Sequence, residues 1–330
     1  MPRVTAQAES FRLSEPFRIS RGVRTHAEVV VARASDAAGI GGRGECTPYA
    51  RYGETVESVL ALIREWAEAE RADLAAMPAG AARNALDCAL WDLEAKRTGE
   101  PVWRLAGLAN APETLRTVMT VSLDAPEAME KAASRAVRAG RTLLKIKLGA
   151  GDGNDDERIH AVRRAAPGAV LVCDANEGWR ESELERYLLA AREAGLAMVE
   201  QPLPAGDDAA LDGVDRTLRG TCLLGADESI HTRRDLESVR GRYDVVNVKL
   251  DKAGGLTEAL ATAREARAVG LELMVGCMMA TSLAMAPAVL VAQRARFVDL
   301  DGPLWMAEDR DPGLRYEGEF VSPPEAALWG

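Results

Sequence analysis

Leu143-Leu144-Lys145-Ile146-Lys147-Leu148 is a short apolar run broken by two lysines. A run this short, bounded by polar residues, reads as a strand, and alternate side chains of a strand leave on opposite faces. Lys145 and Lys147 therefore point to the same side. Two ammonium groups side by side in an apolar strand repel each other and lose hydration, which is expected to lower a lysine pKa and turn one amine toward a usable base. Taken alone, the run reads better as an edge strand whose lysines guard against aggregation. Its surroundings reverse that preference.

From Thr114 onward the run is one of a series. Short apolar segments stand at Thr117–Leu123, Leu143–Leu148, Ala169–Asp174, Met198–Gln201, Leu223–Asp227, Val245–Leu250, Glu272–Met278 and Phe297–Asp301, with amphipathic helices expected between them. One helix carries Met129, Ala133 and Val137 and ends at Gly140. The next opens on Asp155-Asp156-Glu157, suited to the positive end of a helix dipole, and stops at Pro167. Others run through Leu184, Leu188 and Ala191 to Gly195, and through Leu256, Leu260, Ala263 and Ala266 to Gly270. Eight strands alternating with seven helices make an α/β fold, a modified TIM barrel of (β/α)7β form.

Upstream, residues 3–47 read as strands, clearest over Ala27–Ala34, followed by helices over 54–70 and 80–98, the second stopped by Gly99. Gly39-Ile40-Gly41-Gly42-Arg43-Gly44 matches a dinucleotide fingerprint in letters, but Glu45-Cys46-Thr47-Pro48 follows where a helix would have to begin, so the stretch is read as a hairpin turn. The expected organisation is an α+β capping domain over residues 1–113, a catalytic barrel over 114–308, and a tail over 309–330 that packs back on the cap.

The chain of 330 residues is 47% hydrophobic and 28% charged, ordinary for a globular protein, and long enough for a large core. A net charge of −10 argues against a nucleic-acid surface. No apolar stretch suggests a signal peptide or a membrane span. Five cysteines without metal-type or disulfide-type spacing read as buried thiols in a reducing cytoplasm. His26, His160 and His231 lack ligand spacing and read as surface or loop residues.

Functional groups of such barrels come from the C-terminal ends of the strands. Thr120, Lys147, Asp174, Glu200, Asp227, Lys249, Cys277 and Asp299 each close a successive run at barrel-repeat spacing. A single Asp or Glu there is as readily a helix N-cap as a ligand. Three acids on consecutive strands, Asp174, Glu200 and Asp227, would repel one another in a desolvated site without a cation. Hard oxygen donors from three directions suit Mg²⁺, and the same set admits Ca²⁺ or Mn²⁺. Lys147 precedes the acids and Lys249 follows them, so around a barrel mouth they face each other across the metal. Amines on opposite faces of one carbon can remove a proton from one side and return one from the other, while the metal stabilises the enediolate between. Asp299 and Asp301, on the strand next to the first and far from the three acids, suit a substrate ammonium.

With these residues in hand, Lys145-x-Lys147, Asp174-Ala175-Asn176, Glu200-Gln201-Pro202, Ala226-Asp227-Glu228-Ser229 and Val248-Lys249-Leu250 resemble the enolase superfamily in its muconate-lactonising-type subgroup. Asp299-x-Asp301 looks like its dipeptide epimerases. The stretches Cys46–Glu54, Ala81–Asp92, Lys249–Ala259 and Gly276-Cys277-Met278 look especially like those acting on L-Ala-D/L-Glu in murein-peptide recycling. The resemblance implies Lys147 and Lys249 as acid/base catalysts, Lys145 at the substrate carboxylate, and one Mg²⁺ per subunit on Asp174, Glu200 and Asp227. It also implies Asp299 and Asp301 at the dipeptide ammonium, Arg24 at the substrate's Glu side chain, Thr120 as a binding position, and Tyr49, Arg51 and Tyr52 on a second loop over the mouth. Ala280 departs from the many relatives with a carboxylate after the seventh strand. The expected partners are a small dipeptide and, in a homo-oligomer, further copies of the chain, with no nucleic acid and no membrane. Another dipeptide, or a cycloisomerase or syn-dehydratase substrate, remains the alternative. So does a metal-stabilised binding protein, against which the paired lysines argue.

Overall fold

The computed structural model describes residues 2–69 and 73–330. Strands β1 (Arg3–Ile19), β2 (Gly22–Ser35) and β3 (Gly41–Cys46) form an antiparallel sheet in that order. β1 and β2 make one long hairpin whose pairing shifts between Arg12 and Phe17, around Pro16, which has no N–H for the ladder. β2 is buried on both faces over Val29–Ala32. Val30, Ala32 and Ala34 meet the helices α1 (Val56–Glu68) and α2 (Ala81–Thr98), and Val29 and Val31 join the barrel core. Thr55 caps α1 by accepting the Ser58 amide. The reading that ran this helix from 54 to 70 overshoots at its start, and residue 70 lies outside the described residues. The hairpin turn expected at Gly39–Gly44 is misplaced. It spans Asp36–Ile40, where Asp36 Oδ1 accepts the Ala38 and Ile40 amides. Gly42 and Gly44 are strand residues kept small by α2: a Cβ at Gly42 would lie 2.2 Å from Leu93 N, and one at Gly44 2.2 Å from Ala85 O.

After the short helix α3 (Val102–Leu105) and strand β4 (Leu115–Arg116), eight parallel strands follow. The first four are β5 (Met119–Val121), β6 (Leu143–Lys147), β7 (Val170–Asp174) and β8 (Met198–Glu200), separated by α4 (Pro126–Arg138), α5 (Asp155–Ala165) and α6 (Glu181–Glu193). Beyond β8 the helices shrink. A 3-10 turn and α7 (Arg216–Arg219) lead to β9 (Leu223–Ala226), and α8 (Leu236–Val239) leads to β10 (Val245–Val248). Next come α9 (Leu250–Ala253), α10 (Leu256–Ala268), β11 (Glu272–Val275), α11 (Ser282–Ala292) and β12 (Phe297–Val298). The ring closes where Val118 N donates to Val298 O at 2.9 Å and Leu300 N to Thr117 Oγ1 at 2.9 Å.

The expectation of amphipathic helices fails for α11, which is buried along its whole length. It lies between the barrel and β3, so both of its faces are covered and no polar stripe is needed. No helix among the described residues is long and apolar enough to cross a membrane.

Alternation along the strands stacks the barrel interior in layers. Val118, Leu143, Val172, Met198, Val245, Met274 and Phe297 form an apolar plug at the N-terminal end. Two residues further along β6 the same face carries Lys145, and two further still Lys147, while Leu144 and Ile146 point outward into the main core. The tail forms β13 (Tyr316–Glu317) and β14 (Phe320–Val321), and β14 pairs with β4. Its last residues reach α2, where Trp329 Nε1 donates to Cys88 O at 3.0 Å and Gly330 N to Asp92 Oδ1 at 2.8 Å.

Candidate active site

Register sets the rim. Lys147 pairs with Asp174 across β6 and β7, and Asp174 with Glu200 across β7 and β8, so three charged side chains leave one level of the barrel. Asp227 follows just past the end of β9. Asp174, Glu200 and Asp227 each bring a carboxylate oxygen within 4.8 Å of the other two, and all three are buried. Lys147 Nζ donates to Asp174 Oδ2 at 2.6 Å, and Lys249 Nζ to Asp227 Oδ2 at 2.6 Å. The two amines thus stand at opposite ends of the carboxylate row, and both line one cavity at the mouth. Lys145 lies beneath, 2.7 Å from Glu200 Oε2, 2.7 Å from Asp299 Oδ2 and 3.2 Å from Asp174 Oδ2.

At Lys145 the expected depression of pKa does not occur. Burial alone would lower Lys145, but Asp299, Glu200 and Asp174 outweigh it and hold the ammonium well above its ordinary value. Lys249 is likewise raised, burial being outweighed chiefly by Asp227 and Glu200. The reason is proximity: the repelling lysines face carboxylates at contact distance. Asp251, two residues after Lys249, does not pair with it and accepts the Thr47 amide at 3.0 Å and Asn84 Nδ2 at 2.9 Å.

The acids divide. Burial would raise Asp174, but Lys147 and Lys145 hold it below the usual carboxylate range, and Lys249 and Lys252 do the same for Asp227. Glu200 is pushed up to about 7 by burial, with Asp174 adding to the effect. Asn247 Nδ2 donates to its Oε1 at 2.6 Å, whereas its buried Oε2 has Lys145 close by but no donor aligned on it. A buried oxygen without an aligned donor, among three hard oxygen donors, fits a divalent cation better than a closed hydrogen-bond network.

Asp299 and Asp301 close the far end of the cavity, with carboxylate oxygens within 4.8 Å of each other and of Cys277 Sγ. They are not remote from the three acids, as the sequence suggested, because the Lys145 side chain spans the gap. Asp301 Oδ2 accepts the Thr120 amide at 2.8 Å and Trp305 Nε1 at 3.3 Å, and burial together with Asp299 pushes its pKa up to about 6. Thr120 therefore meets the site through its backbone as well as lining it.

The cap covers this mouth. Arg24 lines the cavity with its guanidinium 5.2 Å from the centre of the Tyr49 ring, and among the described residues no carboxylate pairs with it. Tyr49 and Tyr52 also line the cavity. Arg51 does not; it is held by Glu177 at 2.8 and 2.7 Å. Ala280 is fully buried.

Sequence reasoning gave no role to Arg21, Asn176, Glu228, Asn247 or Lys252. Lys252 Nζ donates to Asp227 Oδ1 at 2.6 Å and also to the Asp227 carbonyl. Its only signal in the sequence is its position one helical turn after Lys249. All five cysteines are free thiols, and Cys277 alone of them is partly exposed. His231 packs edge-on against Tyr52, with ring centres 4.5 Å apart.

Residues 2–107 match the mandelate racemase/muconate lactonizing enzyme N-terminal domain, and residues 128–327 match the enolase C-terminal domain-like family. The chain belongs to the enolase superfamily. It is 47% identical over 323 residues to the L-Ala-D/L-Glu epimerase of Escherichia coli (strain K12), covering 96% of this chain and 98% of that one. It is 42% identical over 298 residues to the N-acetyl-D-glutamate racemase of a Pseudoalteromonas species, covering 88% and 91%. Among solved structures, an enolase family member from Agrobacterium tumefaciens with homology to dipeptide epimerases, holding sodium and L-Ala-L-Glu, superposes with a TM-score of 0.93 at 49% identity, covering 100% of each chain. A dipeptide epimerase from Enterococcus faecalis V583, complexed with Mg and L-Leu-L-Tyr, superposes with a TM-score of 0.89 at 28% identity, covering 98% and 97%.

Proposed function

We propose that this enolase-superfamily isomerase epimerises L-Ala-D/L-Glu dipeptides at the glutamyl α-carbon. The observation that carries the reading is the placement of Lys147 and Lys249 at opposite ends of one carboxylate row, in one cavity. An α-carbon held between them has its proton taken by one amine while the other protonates the opposite face. The electron pair of the broken C–H bond passes into the adjacent carboxylate, and Lys145 lies where it can hold one of that group's oxygens. Asp299 and Asp301 hold the ammonium of the first residue, next to Thr120. Arg24, which pairs with no carboxylate among the described residues, takes the side-chain carboxylate of the second residue. Residues 1–113 then serve as the specificity cap, 114–308 as the catalytic barrel and 309–330 as the tail that ties the two together.

Asp174, Glu200 and Asp227 would hold one Mg²⁺, the ion in the Enterococcus relative. Bound there, it supplies positive charge that draws these acids away from the lysines and offsets the charge growing on the substrate carboxylate. Murein-peptide recycling in the cytoplasm, by a homo-oligomer, is the setting this reading implies.

A second reading, racemisation of an N-acylated glutamate, is favoured by the Pseudoalteromonas relative. It leaves the Asp299–Asp301 end without an ammonium to bind. The test is incubation in D₂O with Mg²⁺ of L-Ala-L-Glu, L-Ala-L-Gln and N-acetyl-L-Glu, followed by NMR. Deuterium at the glutamyl α-carbon of the first, with inversion, is expected. Lys147→Ala and Lys249→Ala should each cut epimerisation by on the order of 10³-fold. Either variant interconverting both diastereomers at a near-normal rate would refute the two-base assignment, and preference for N-acetyl-L-Glu would favour the second reading.

A further inference from the structure

We propose that Arg21, at the tip of the cap's hairpin, is a positioning residue for Lys147 and not for Lys249, acting through Asn176. The inference rests on the two-base reading above. Asn176 has a φ of +45° and the next residue, Glu177, a φ of +65°, left-handed conformations that two successive non-glycine residues keep where surrounding contacts enforce them. Those contacts converge from two sides. On the barrel side, Asn176 N donates to Asp174 Oδ1 at 2.9 Å, and Asn176 Oδ1 accepts from Lys147 Nζ at 3.3 Å. On the cap side, the Asn176 carbonyl accepts from Arg21 Nη1 at 2.9 Å and from Ser20 Oγ at 3.3 Å.

Arg21 is itself fixed at its other arm. Its Nη2 lies 2.7 Å from Glu228 Oε1, a carboxylate that is 1% exposed, and 3.1 Å from Tyr49 Oη. A planar fork held this firmly transmits the position of the hairpin to the Asn176 backbone, and Asn176 passes it to the amine it touches. Lys249 has no such link. Its partner Asp227 is shared with Lys252, and among the described residues no cap side chain hydrogen-bonds to either Lys249 or Asp227. The cap's hydrogen bonds on that side end at Glu228 and Asp251, beside Asp227 and Lys249 but not on either, whereas on the Lys147 side they reach the residue that the amine touches.

This asymmetry is measurable because each diastereomer presents its α-proton to a different amine. The amine takes the proton, the C–H electron pair delocalises into the substrate carboxylate, the ammonium exchanges its protons with D₂O, and a deuteron returns to carbon. A variant that misplaces one base loses exchange from one diastereomer only. The Mg²⁺-loaded enzyme is incubated in D₂O with L-Ala-L-Glu and, separately, L-Ala-D-Glu, and initial α-proton exchange is followed by NMR. Lys147→Ala identifies the diastereomer that Lys147 serves. In Arg21→Ala and in Asn176→Gly, which keeps the left-handed backbone and deletes the amide, exchange from that diastereomer is expected to fall about ten- to hundredfold relative to the other. Arg21→Lys keeps a charge for Glu228 without the fork and should show the same asymmetry. Equal loss from both diastereomers in folded variants, or no loss, overturns the role of Arg21 while leaving the two-base reading intact. A wild-type enzyme that exchanges neither diastereomer overturns that reading, and this inference with it.

Discussion

At the barrel rim, Lys145, Lys147, Lys249 and Lys252 crowd against Asp174, Glu200, Asp227 and Asp299. At the seam between cap and barrel, Glu45, Asp87 and Asp251 are also buried, but their hydrogen-bond donors are neutral except for Arg310 at Glu45. Glu45 accepts the Thr281 amide at 2.8 Å and its hydroxyl at 2.6 Å, and has Arg310 Nε at 2.8 Å. Asp87 accepts the Thr257 amide at 2.9 Å and its hydroxyl at 2.7 Å. Thr47 N and Asn84 Nδ2 both point at one oxygen of Asp251. The seam uses buried carboxylates as pins, each closed by a few donors of fixed geometry. The rim keeps an oxygen of Glu200 without an aligned donor and holds lysine amines directly against acids, an arrangement that a metal and a substrate can rearrange.

The sharpest way to break this contrast is at the rim. Chelation should abolish turnover, and Mg²⁺ should restore it. Mg²⁺ at a hundred times its dissociation constant should also stabilise the folded wild type by roughly 2.7 kcal/mol. Glu200→Gln should lose that stabilisation; a melting temperature that rises with Mg²⁺ as much as in the wild type would show that the carboxylate row is not where the ion sits. Next in size is the seam. Arg310→Ala leaves Glu45 buried beside only the Thr281 donors and should lower unfolding free energy in urea by about 3–5 kcal/mol. A loss under about 1 kcal/mol would mean that the pins do not carry the seam.

The effect that is smallest per unit change of condition is a pH dependence. Burial pushes the Asp251 carboxyl up to about 7 from an ordinary 3.8. Between those values the folded chain holds a proton that the unfolded chain has released, so stability falls as pH rises, by about 1.4 kcal/mol per unit for this group. Below pH 4 the contribution is fully present, and above 7 it is lost. Asp251→Asn keeps the shared acceptor oxygen and cannot ionise. Its melting temperature relative to wild type should climb between pH 5 and pH 8, and a constant difference would place the Asp251 pKa outside that window.

Strand alternation put Lys145 and Lys147 on one face, and the recurrence of acids at strand ends brought Asp174, Glu200 and Asp227 to one rim. Both follow from a period of two and a repeat length, which are properties of the chain itself. Other features answer to contacts made across long sequence separations. Gly42 and Gly44 look like a turn until α2 is seen against β3, and α11 shows no polar stripe because two layers cover it. Which carboxylate each lysine meets, and hence the upward shifts of Lys145 and Lys249, depends on strand stagger around the barrel.

What the amino-acid order determined alone was the alternation of strands and helices, the level at which each functional side chain leaves the barrel, and the kind of chemistry those side chains permit. Only the folded molecule decided that Lys145 joins the acid row to Asp299, that Lys252 turns back onto Asp227, and that Arg21 reaches from the cap to the Asn176 carbonyl. Periodicity is local and is written into neighbouring residues. Charge pairing and backbone strain arise where distant segments are pressed together, and their sign is set by distances that no local pattern records.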